Sequence, residues 1–386
     1  MEPIALYLLI LSVGLFVYNY FVYPLCMIFL SEIYKKNEII PDDCDFGVLP
    51  KVSFIVAAYN EEKVIYKKLE NTLSLNYPSD LIEIIVVSDG SDDNTMKIVE
   101  EFANGVINMH EPERRGKSAA INRAVERATG DVIILSDANN DFNTDSILSL
   151  VSFFSDESVG AVTGSKHIYS SLDRESSAGD GLYWKYESAI KYAESVLGSI
   201  TAAEGEILAV RKELFTPINE KLINDDAAIT FSIIKAGYRV LYDKNAKSFE
   251  QASTNLLDDY HVKVRMTTGG YQTISREFGY LFPPTNWFSF NFISHKILRW
   301  LAPHFLITMF ICSTILVENI YISIFLLLQI LFYMISLFGW LNVKNKKLPS
   351  LVYIPMYFTY MNMALFHGFI RYIKGHSNVN WRKADR

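Results

Sequence analysis

Four long apolar runs without charged residues flank a polar block in this chain. They cover residues 4–30, 301–317, 320–341 and 349–370. A helix needs ~20 apolar residues to cross the hydrocarbon core of a bilayer, so each run predicts a membrane helix. The first run is too long for a signal peptide and lacks a small-residue cleavage site. We therefore expect one apolar helix before the polar block and several after it.

Within the polar block, short β-branched runs alternate with helical patterns. The strand-like runs are KVSFIVA (51–57), IEIIVVS (82–88) and DVIILS (131–136), and helical patterns follow near 61–75, 93–103 and 144–154. Such alternation is typical of a mostly parallel sheet covered by helices. The sequence therefore predicts an α/β fold, and ligands of such sheets bind beyond the carboxyl ends of the strands.

Acidic and amide side chains follow all three predicted strands, in the loops AYNEE, DGSDDNT and DANND. Asn60 and Asp92 also fit ordinary helix caps, which would explain any one of these loops alone. Together at one sheet edge, Asp89, Asp92 and Asp137 would repel one another unless a cation lies among them. Hard oxygen ligands suit Mg²⁺ or Mn²⁺ carrying a diphosphate.

A basic segment, RRGKSAAINRA (114–124), lies between the second and third loops. Arg114, Arg115 and Lys117 surround Gly116 at the start of a helical pattern, where cations and backbone N–H groups come together. The segment predicts an anion site. A basic helix start on the protein surface is the alternative.

Composition limits the partners of the chain. Half of its residues are hydrophobic, a fifth are charged, and the formal net charge is -7. The acidic balance without a basic stripe argues against nucleic acid. Cys26 and Cys312 fall in apolar runs and Cys44 stands alone, so the spacing indicates neither a disulfide framework nor a zinc site.

Charged residues beside the apolar runs predict the orientation. Lys35 and Lys36 follow the first run, which places the N-terminus outside and the polar block in the cytoplasm of a multi-pass plasma-membrane protein. The loop between the third and fourth runs agrees with this orientation, because it carries Lys344, Lys346 and Lys347. A fourth crossing would put the basic tail outside, against the same rule. Either the run at 349–370, which Pro355 interrupts, does not fully cross, or another crossing is miscounted, and we favour a cytoplasmic tail.

The order of eight motifs resembles the family 2 inverting glycosyltransferases, the group of the cellulose, chitin, hyaluronan and poly-N-acetylglucosamine synthases. The motifs are AAYNEE, VVSDGSDD, RRGKSAAIN, SDAN, AAEGEILAVRKELF (202–215), NDD (224–226), KVRM (263–266) and SHKILRWLAP (294–303). The resemblance runs from about residue 50 to the end of the chain. It implies a GT-A fold and a nucleotide-sugar donor.

The apolar runs and the resemblance together divide the chain into five expected parts. They are an N-terminal membrane helix (1–30), a cytoplasmic GT-A domain (31–280), an interfacial amphipathic segment (281–300), C-terminal membrane helices (301–370) and a basic tail (371–386).

The resemblance also implies roles in donor binding. Tyr59 and Glu61 would bind the nucleotide base, Asp89 the base or ribose, Lys117 the phosphates, and Asp137 a divalent cation. The residues expected to line the nucleotide-sugar site are Ala58, Tyr59, Glu61, Asp89, Asp92, Lys117 and Asp137. The family usually has Asp-x-Asp at the cation position, whereas this chain has Asp137-Ala138-Asn139. An amide oxygen can still coordinate, with one negative charge fewer.

The same resemblance makes Asp226 the base that accepts the proton of the attacking hydroxyl, with Asp225 its nearest competitor for that role. The alternative is that Asn224 or Asp225 merely caps a helix.

Lys263 and Arg265 occupy the place of a family Gln-x-x-Arg-Trp element, whose arginine would contact phosphate. Val262 and Met266 replace the glutamine and the tryptophan, which leaves long-chain processivity in doubt. Contact with anionic lipid is the alternative for both cations. Glu204 and Trp184 are candidates for acceptor binding.

We therefore expect a membrane-integrated glycosyltransferase that moves a sugar, from a UDP-sugar, onto a growing glycan or a lipid-linked acceptor for envelope or extracellular polysaccharide. Membrane lipid and other subunits of polysaccharide synthesis are the further partners expected. One alternative is a transferase that charges polyprenyl phosphate with a single sugar. The other is a non-catalytic transport or scaffold subunit.

Overall fold

The computed structural model describes residues 2–34, 48–169, 176–252, 256–343 and 348–376, and of residues 176–183 the backbone. The predictions made for Lys35, Lys36, Cys44, the loop 344–347 and the tail beyond residue 376 lie outside the described residues.

Among the described residues, eight strands form one mixed sheet. They are β1 (Val52–Ala58), β2 (Ile82–Asp89), β3 (Val106–Glu111), β4 (Val132–Asp137), β5 (Asn140–Phe142), β6 (Val159–Tyr169), β7 (Ile207–Arg211) and β8 (Arg239–Gln251). The strand order is β3-β2-β1-β4-β7-β6-β8-β5. The first four strands in that order are parallel, β7 runs antiparallel to β4 and β6, and β8 is parallel to β6. The predicted, mostly parallel α/β sheet is confirmed.

Fifteen α-helical segments occur in the described ranges. They are α1 (Glu2–Val17), α2 (Tyr23–Tyr34), α3 (Ile65–Leu73), α4 (Thr95–Glu100), α5 (Lys117–Arg127), α6 (Ser146–Ser152), α7 (Ser176–Leu197), α8 (Asp225–Lys235), α9 (Leu256–Arg276), α10 (Phe278–Leu281), α11 (Trp287–Phe292), α12 (Leu298–Trp300), α13 (Ala302–Ile315), α14 (Ile320–Asn342) and α15 (Ser350–Ile373). Single π-helical turns join α1 to α2 and α11 to α12.

The two faces of the sheet carry separate apolar cores. Phe54 and Val56 of β1 pack on one side, whereas Ile55 packs on the other, because successive strand side chains point to opposite faces. The first core includes residues of α3, α4 and α6, and the second includes residues of α5 and α8. Helices on both faces hold the sheet rigid and leave its carboxyl edge open for ligands.

Two apolar helical stretches are long and apolar enough to cross a membrane in the part of the chain that the structure describes. They are Glu2–Tyr34 and Ile320–Asn342. A third span is formed if Trp287–Trp300 and Ala302–Ile315, which meet at a 58° bend, count as one. Of the four predicted runs, 301–317 gives only the 14-residue helix α13. The run 349–370 forms α15 but is not among these candidate spans.

Helix α15 packs against α9, and this contact joins α15 to the polar block. The hydroxyl of Thr268 donates to the carbonyl of Gly368 at 3.2 Å, and the Tyr271 and Phe369 rings lie 5.1 Å apart. A Cβ at Gly368 would come within 2.7 Å of the Thr267 Cβ, so the missing side chain permits the close approach of the two helices. The last apolar run is therefore held by the globular part.

Candidate active site

The strand register brings the three acidic loops to one edge. Ala58 of β1 pairs with Ser88 of β2, and Ala57 pairs with Asp137 of β4. Because β7 runs the other way and Ile207 pairs with Ser136, the segment that precedes β7 reaches the same edge. The AAEGE sequence therefore joins the site through an antiparallel strand, which the spacing of the motifs did not predict.

The first two loops are joined by side chains. Asn60 and Asp92 form a reciprocal pair: the Asn60 amide donates to Asp92 Oδ1 at 2.6 Å, and the Asp92 backbone N–H donates to Asn60 Oδ1 at 3.0 Å. The Glu62 carboxylate accepts the backbone N–H of Asn94 at 3.1 Å. Asp92 thus links the two loops rather than capping α4, whose first residue, Thr95, donates its N–H to Asp93.

Tyr59 carries a cation on its ring face. The guanidinium carbon of Arg114 lies 3.7 Å from the Tyr59 ring centroid. The backbone N–H of Glu61 donates to Thr95 Oγ1 at 2.8 Å. Tyr59 and Glu61 are both half-buried beside this contact, while Ala58 is buried at the strand end. The predicted base site thus contains an arginine that stacks on its tyrosine.

Asp89 holds the start of α5. Its two carboxylate oxygens accept the backbone N–H groups of Arg115 at 3.1 Å and Gly116 at 2.6 Å, and Arg123 lies 3.6 Å away. Asp89 is 4% exposed. Gly116 has φ 103°, a backbone conformation that favours glycine. The Asp89 carboxylate is therefore buried and holds the backbone of the basic loop in place.

Lys117 bridges the third loop and the NDD motif. Its Nζ lies 2.6 Å from Asp137 Oδ1 and 3.6 Å from Asp225 Oδ2. Burial alone would lower the pKa of Lys117, but the charges of Asp137 and Asp225 outweigh burial and raise it well above its usual range. The lysine therefore remains protonated and neutralises a surplus of negative charge at the sheet edge.

Asp226 is the carboxylate with the raised pKa. Burial, followed by the charge of adjacent Asp225 and, less strongly, of Glu204, raises the pKa of Asp226 to about 7. A hydrogen bond from the Ala227 N–H, at 2.7 Å, and the charge of Lys117 oppose the shift. A general base works best when its pKa is near the working pH.

Gly205 separates Lys117 from Asp226. A Cβ at Gly205 would lie 3.2 Å from the Asp226 Cβ and 4.0 Å from the Lys117 Nζ. Any side chain here would fill the space between Asp226 and Lys117. Sequence reasoning passed over Gly205, because a glycine with no special turn signature shows its importance only through its neighbours in space.

The acceptor candidates lie around two lysines. Lys191 forms a short ion pair with Glu204, and Lys166 lies 5.9 Å from the Trp184 ring centroid. Burial would raise the pKa of Glu204, but the charges of Lys191 and Lys166 outweigh it and lower the pKa. Glu204 therefore stays ionised, and neither lysine was singled out from the sequence.

Helix α9 braces the NDD motif through residues other than its basic pair. The Asn224 amide donates to the Met266 carbonyl at 3.1 Å, and Gln272 Oε1 accepts the Ile223 N–H at 3.2 Å. Lys263 and Arg265 lie two positions apart, about 200° around the helix, and so point to different sides. Arg265 is exposed and Lys263 half-buried.

Asp137 and Asn139 offer oxygen ligands of the kind that a hard cation prefers. Asp137 is 34% exposed, and the Asn139 amide nitrogen donates to Glu250 Oε1 at 2.8 Å. In the described ranges no group of three His, Cys, Asp or Glu side chains could hold a metal. One carboxylate and one amide oxygen fit a cation that takes its remaining ligands from a diphosphate.

Residues 53–216 match the family described as Glycosyl transferase family 2. Poly-β-1,6-N-acetyl-D-glucosamine synthase of Staphylococcus aureus (strain COL) is 28% identical over 260 residues, covering 65% of this chain and 61% of that protein. The synthase of the same name from Staphylococcus epidermidis is 28% identical over 236 residues, covering 59% and 56%. The chain thus spans less than two thirds of these curated relatives.

A solved structure resembles almost the whole chain. It is the mannosyltransferase PcManGT from Pyrobaculum calidifontis, in complex with GDP-Man and Mn²⁺, with a TM-score of 0.72 and 20% identity over 96% of this chain and 98% of that one. At that identity the likeness shows the fold alone. The predicted GT-A fold and the predicted family resemblance are confirmed.

Proposed function

We propose that the chain, whose residues 53–216 match Glycosyl transferase family 2, transfers a sugar from a nucleotide-sugar donor to a glycan or lipid-linked acceptor, with inversion at the anomeric carbon. The donor that we propose first is a UDP-sugar. The observation that carries the proposal is a carboxylate of raised pKa, Asp226, beside a protonated lysine at the open edge of the sheet.

Asp226 is proposed as the general base. Its carboxylate accepts the proton of the acceptor hydroxyl as the oxygen attacks the anomeric carbon. The new C–O bond forms on one face while the bond to the diphosphate oxygen breaks on the other, and that oxygen leaves with the bonding electron pair. A carboxylate with a pKa of about 7 is largely ionised just above neutral pH and still basic enough to take the proton.

Lys117 is proposed to stabilise the departing nucleoside diphosphate. The leaving group gains negative charge in the transition state, so a fixed cation at that place favours the transition state over the ground state. The backbone of Arg115 and Gly116, held by Asp89, keeps the start of α5 aimed at the same edge. Helix N-termini bind phosphate through their backbone N–H groups.

Asp137 and Asn139 would hold a divalent cation, which when bound supplies charge neutralisation of the diphosphate. Tyr59, Glu61, Asp89 and Asp92, together with the backbone of Ala58, are proposed to form the nucleotide site. Arg114 joins them because its guanidinium lies on the Tyr59 ring. An aromatic ring and a guanidinium plane both offer a face on which a base can stack.

The acceptor is proposed to approach from the side of α7 and Glu204. Trp184 offers an aromatic face and Glu204 an ionised carboxylate beside Asp226. For Lys263 and Arg265, contact with phosphate of the donor or of a lipid remains the proposal. The apolar helices support a membrane location, with the sheet proposed on the cytoplasmic side and other subunits of polysaccharide synthesis as partners.

The test is a transfer assay with the purified chain in lipid and a panel of nucleotide sugars, in which nucleotide release is followed with and without chelator. We expect Asp226→Asn to lower turnover on the order of 10²-fold or more, because a general base contributes about 10²–10⁴-fold. Nucleotide affinity should be retained. The matched control is Asp80→Asn, in an exposed loop before β2.

Other outcomes distinguish the alternatives. A labelled product that is a single-sugar lipid, formed without any glycan primer, would identify a polyprenyl-phosphate transferase. An Asp226→Asn variant that leaves full activity in an assembled complex would identify a non-catalytic subunit and contradict the proposal.

A further inference from the structure

A largely buried series of polar contacts joins Asn139, in the loop proposed to hold the cation, to strands β6 and β8. The Asn139 amide nitrogen donates to Glu250 Oε1 at 2.8 Å. The other oxygen of Glu250 lies 2.5 Å from the Nζ of Lys166, and the same Nζ lies 2.5 Å from Glu206 Oε2. The side chains of Glu250, Glu206 and Lys166 are 3%, 9% and 12% exposed.

The chain of contacts fixes which way Asn139 points. A side-chain amide has a donating NH₂ group and an accepting oxygen on opposite branches. A carboxylate can only accept when ionised, so Glu250 selects the NH₂ end, and the amide oxygen must turn away from it. If the amide were reversed, two oxygens would face each other at hydrogen-bond distance in a buried place, which is costly.

Lys166 keeps Glu250 in position. Burying a carboxylate is unfavourable unless it is paired with a cation and hydrogen-bonded. The Lys166 ammonium group provides an ion pair and a hydrogen bond to each of Glu250 and Glu206. Ser248 also donates to Glu206 Oε1 at 3.0 Å. The carboxylate that orients Asn139 is therefore anchored to two strands of the sheet and not to a loop.

We propose that Glu250 is a positioning residue that turns the Asn139 oxygen towards the cation and diphosphate of the donor. The proposal rests on the proposed function. It also explains why an asparagine suits this position: a second carboxylate at residue 139 would face Glu250 directly. Asn139 and Glu250 thus act as a matched pair, in which one residue supplies the ligand oxygen and the other supplies its direction.

The experiment is a double-mutant cycle read by Mn²⁺ binding in the presence of UDP, by electron paramagnetic resonance on the purified chain. We expect Glu250→Gln to weaken Mn²⁺ affinity about 10-fold or more, since partners that orient a metal ligand typically contribute 10–100-fold. We expect the opposite sign in the Asn139→Asp background, where Glu250→Gln removes a repulsion and tightens Mn²⁺ binding.

The matched control is Glu206→Gln, which removes a carboxylate from the same lysine but leaves the bond between Asn139 and Glu250 intact. Its effect on Mn²⁺ affinity should be much smaller than that of Glu250→Gln. Equal effects of the two variants, or the same effect of Glu250→Gln in both backgrounds, would show a merely structural role and overturn the proposal.

Asn139→Asp alone gives a second measurement that does not require a change at Glu250. It should bind Mn²⁺ no more tightly than the unmodified chain, despite its added charge, and tighter binding would contradict the inference. If the unmodified chain binds neither UDP nor GDP with Mn²⁺, the proposed function fails and this inference fails with it. If the unmodified chain binds and Glu250→Gln changes nothing, only this inference fails.

Discussion

At the scale of single residues, the ammonium group of Lys117 lies among several carboxylates of the cleft. Lys117 contacts Asp137 and Asp225. Asp226 lies beside Asp225, and the charge of Lys117 lowers its pKa less strongly than burial and Asp225 raise it. Burial first, and then the charge of Asp225, disfavours the ionised form of one of these carboxylates and raises its pKa. The structure places that effect on Asp226, the residue that the family resemblance selects as base.

The effect of Asp225 on the pKa of Asp226 can be tested by the pH dependence of turnover. The acid limb of kcat/KM should lie at about pH 7, set by Asp226 in the free protein. Removing the adjacent negative charge with Asp225→Asn should lower the pKa of Asp226 and move that limb to lower pH. The measurement is the pH profile of kcat/KM for both proteins. A limb that stays in place, or moves to higher pH, would contradict the assignment.

Single residues also show where sequence reasoning ends. Lys68 lies in a helical pattern that reads as an ordinary amphipathic segment, yet it is fully buried and its Nζ donates to the Asn140 carbonyl at 2.8 Å. Burial lowers its pKa to about 7. The local pattern does not distinguish Lys68 from exposed Lys67. The partner of Lys68, the Asn140 carbonyl, lies 72 residues further along the chain.

At the scale of elements, the site is predictable where it follows strand ends and unpredictable where it depends on packing between distant helices. The strand-like runs 51–57, 82–88 and 131–136 became β1, β2 and β4, because their alternation and β-branched content are local signals. The helix predicted near 61–75 begins only at Ile65. Asn60, with φ 52°, and its bonds to the second loop occupy the stretch before it.

The support of α8 by α9 leads to a prediction about Gly269. A Cβ at Gly269 would lie 2.3 Å from Asn224 Oδ1, so Gly269→Ala must displace the Asn224 side chain, whose amide holds the NDD motif to the Met266 carbonyl. Displacement of a catalytic group by about 1 Å can cost 10²-fold in rate, and we expect kcat to fall on the order of 10- to 10²-fold. Steady-state turnover measures the effect.

Gly279→Ala is the matched control for Gly269, because no heavy atom lies within 4 Å of the added Cβ. Alanine favours a helix interior over glycine, so a general loss of helix stability would not explain a slower Gly269→Ala protein. Unchanged turnover in Gly269→Ala would show that α9 does not position the base.

At the scale of the whole molecule, buried polar contacts tie the first apolar helices to the globular part. The Tyr23 hydroxyl of α2 donates to Glu194 of α7 at 2.9 Å, and the Tyr186 hydroxyl of α7 donates to the Tyr20 carbonyl at 2.8 Å. Glu187 of α7 also forms a buried ion pair with Arg299. These contacts make α7 one of the elements that hold the globular part and the apolar helices together, as α9 does for α15.

The exposed apolar surface of α14 predicts firm membrane integration. Large side chains such as Leu327, Met334 and Phe338 are more than half exposed, which water would not favour over such an area. We expect the chain to stay in the membrane pellet after alkaline carbonate washing and to be released only by detergent. A peripheral membrane protein in the same preparation is the control, and release of this chain by carbonate would contradict integration.

The contact between α9 and α15 connects the site to a long apolar helix. One helix touches both the segment that aims the proposed base and a long apolar helix, with Gly368 allowing the two backbones to approach closely. We therefore expect a change in the tilt of α15 to alter the position of Asn224, because both contact α9. Sugar transfer in vesicles should accordingly vary with acyl-chain length, so that the hydrophobic thickness of the bilayer acts as a determinant of rate.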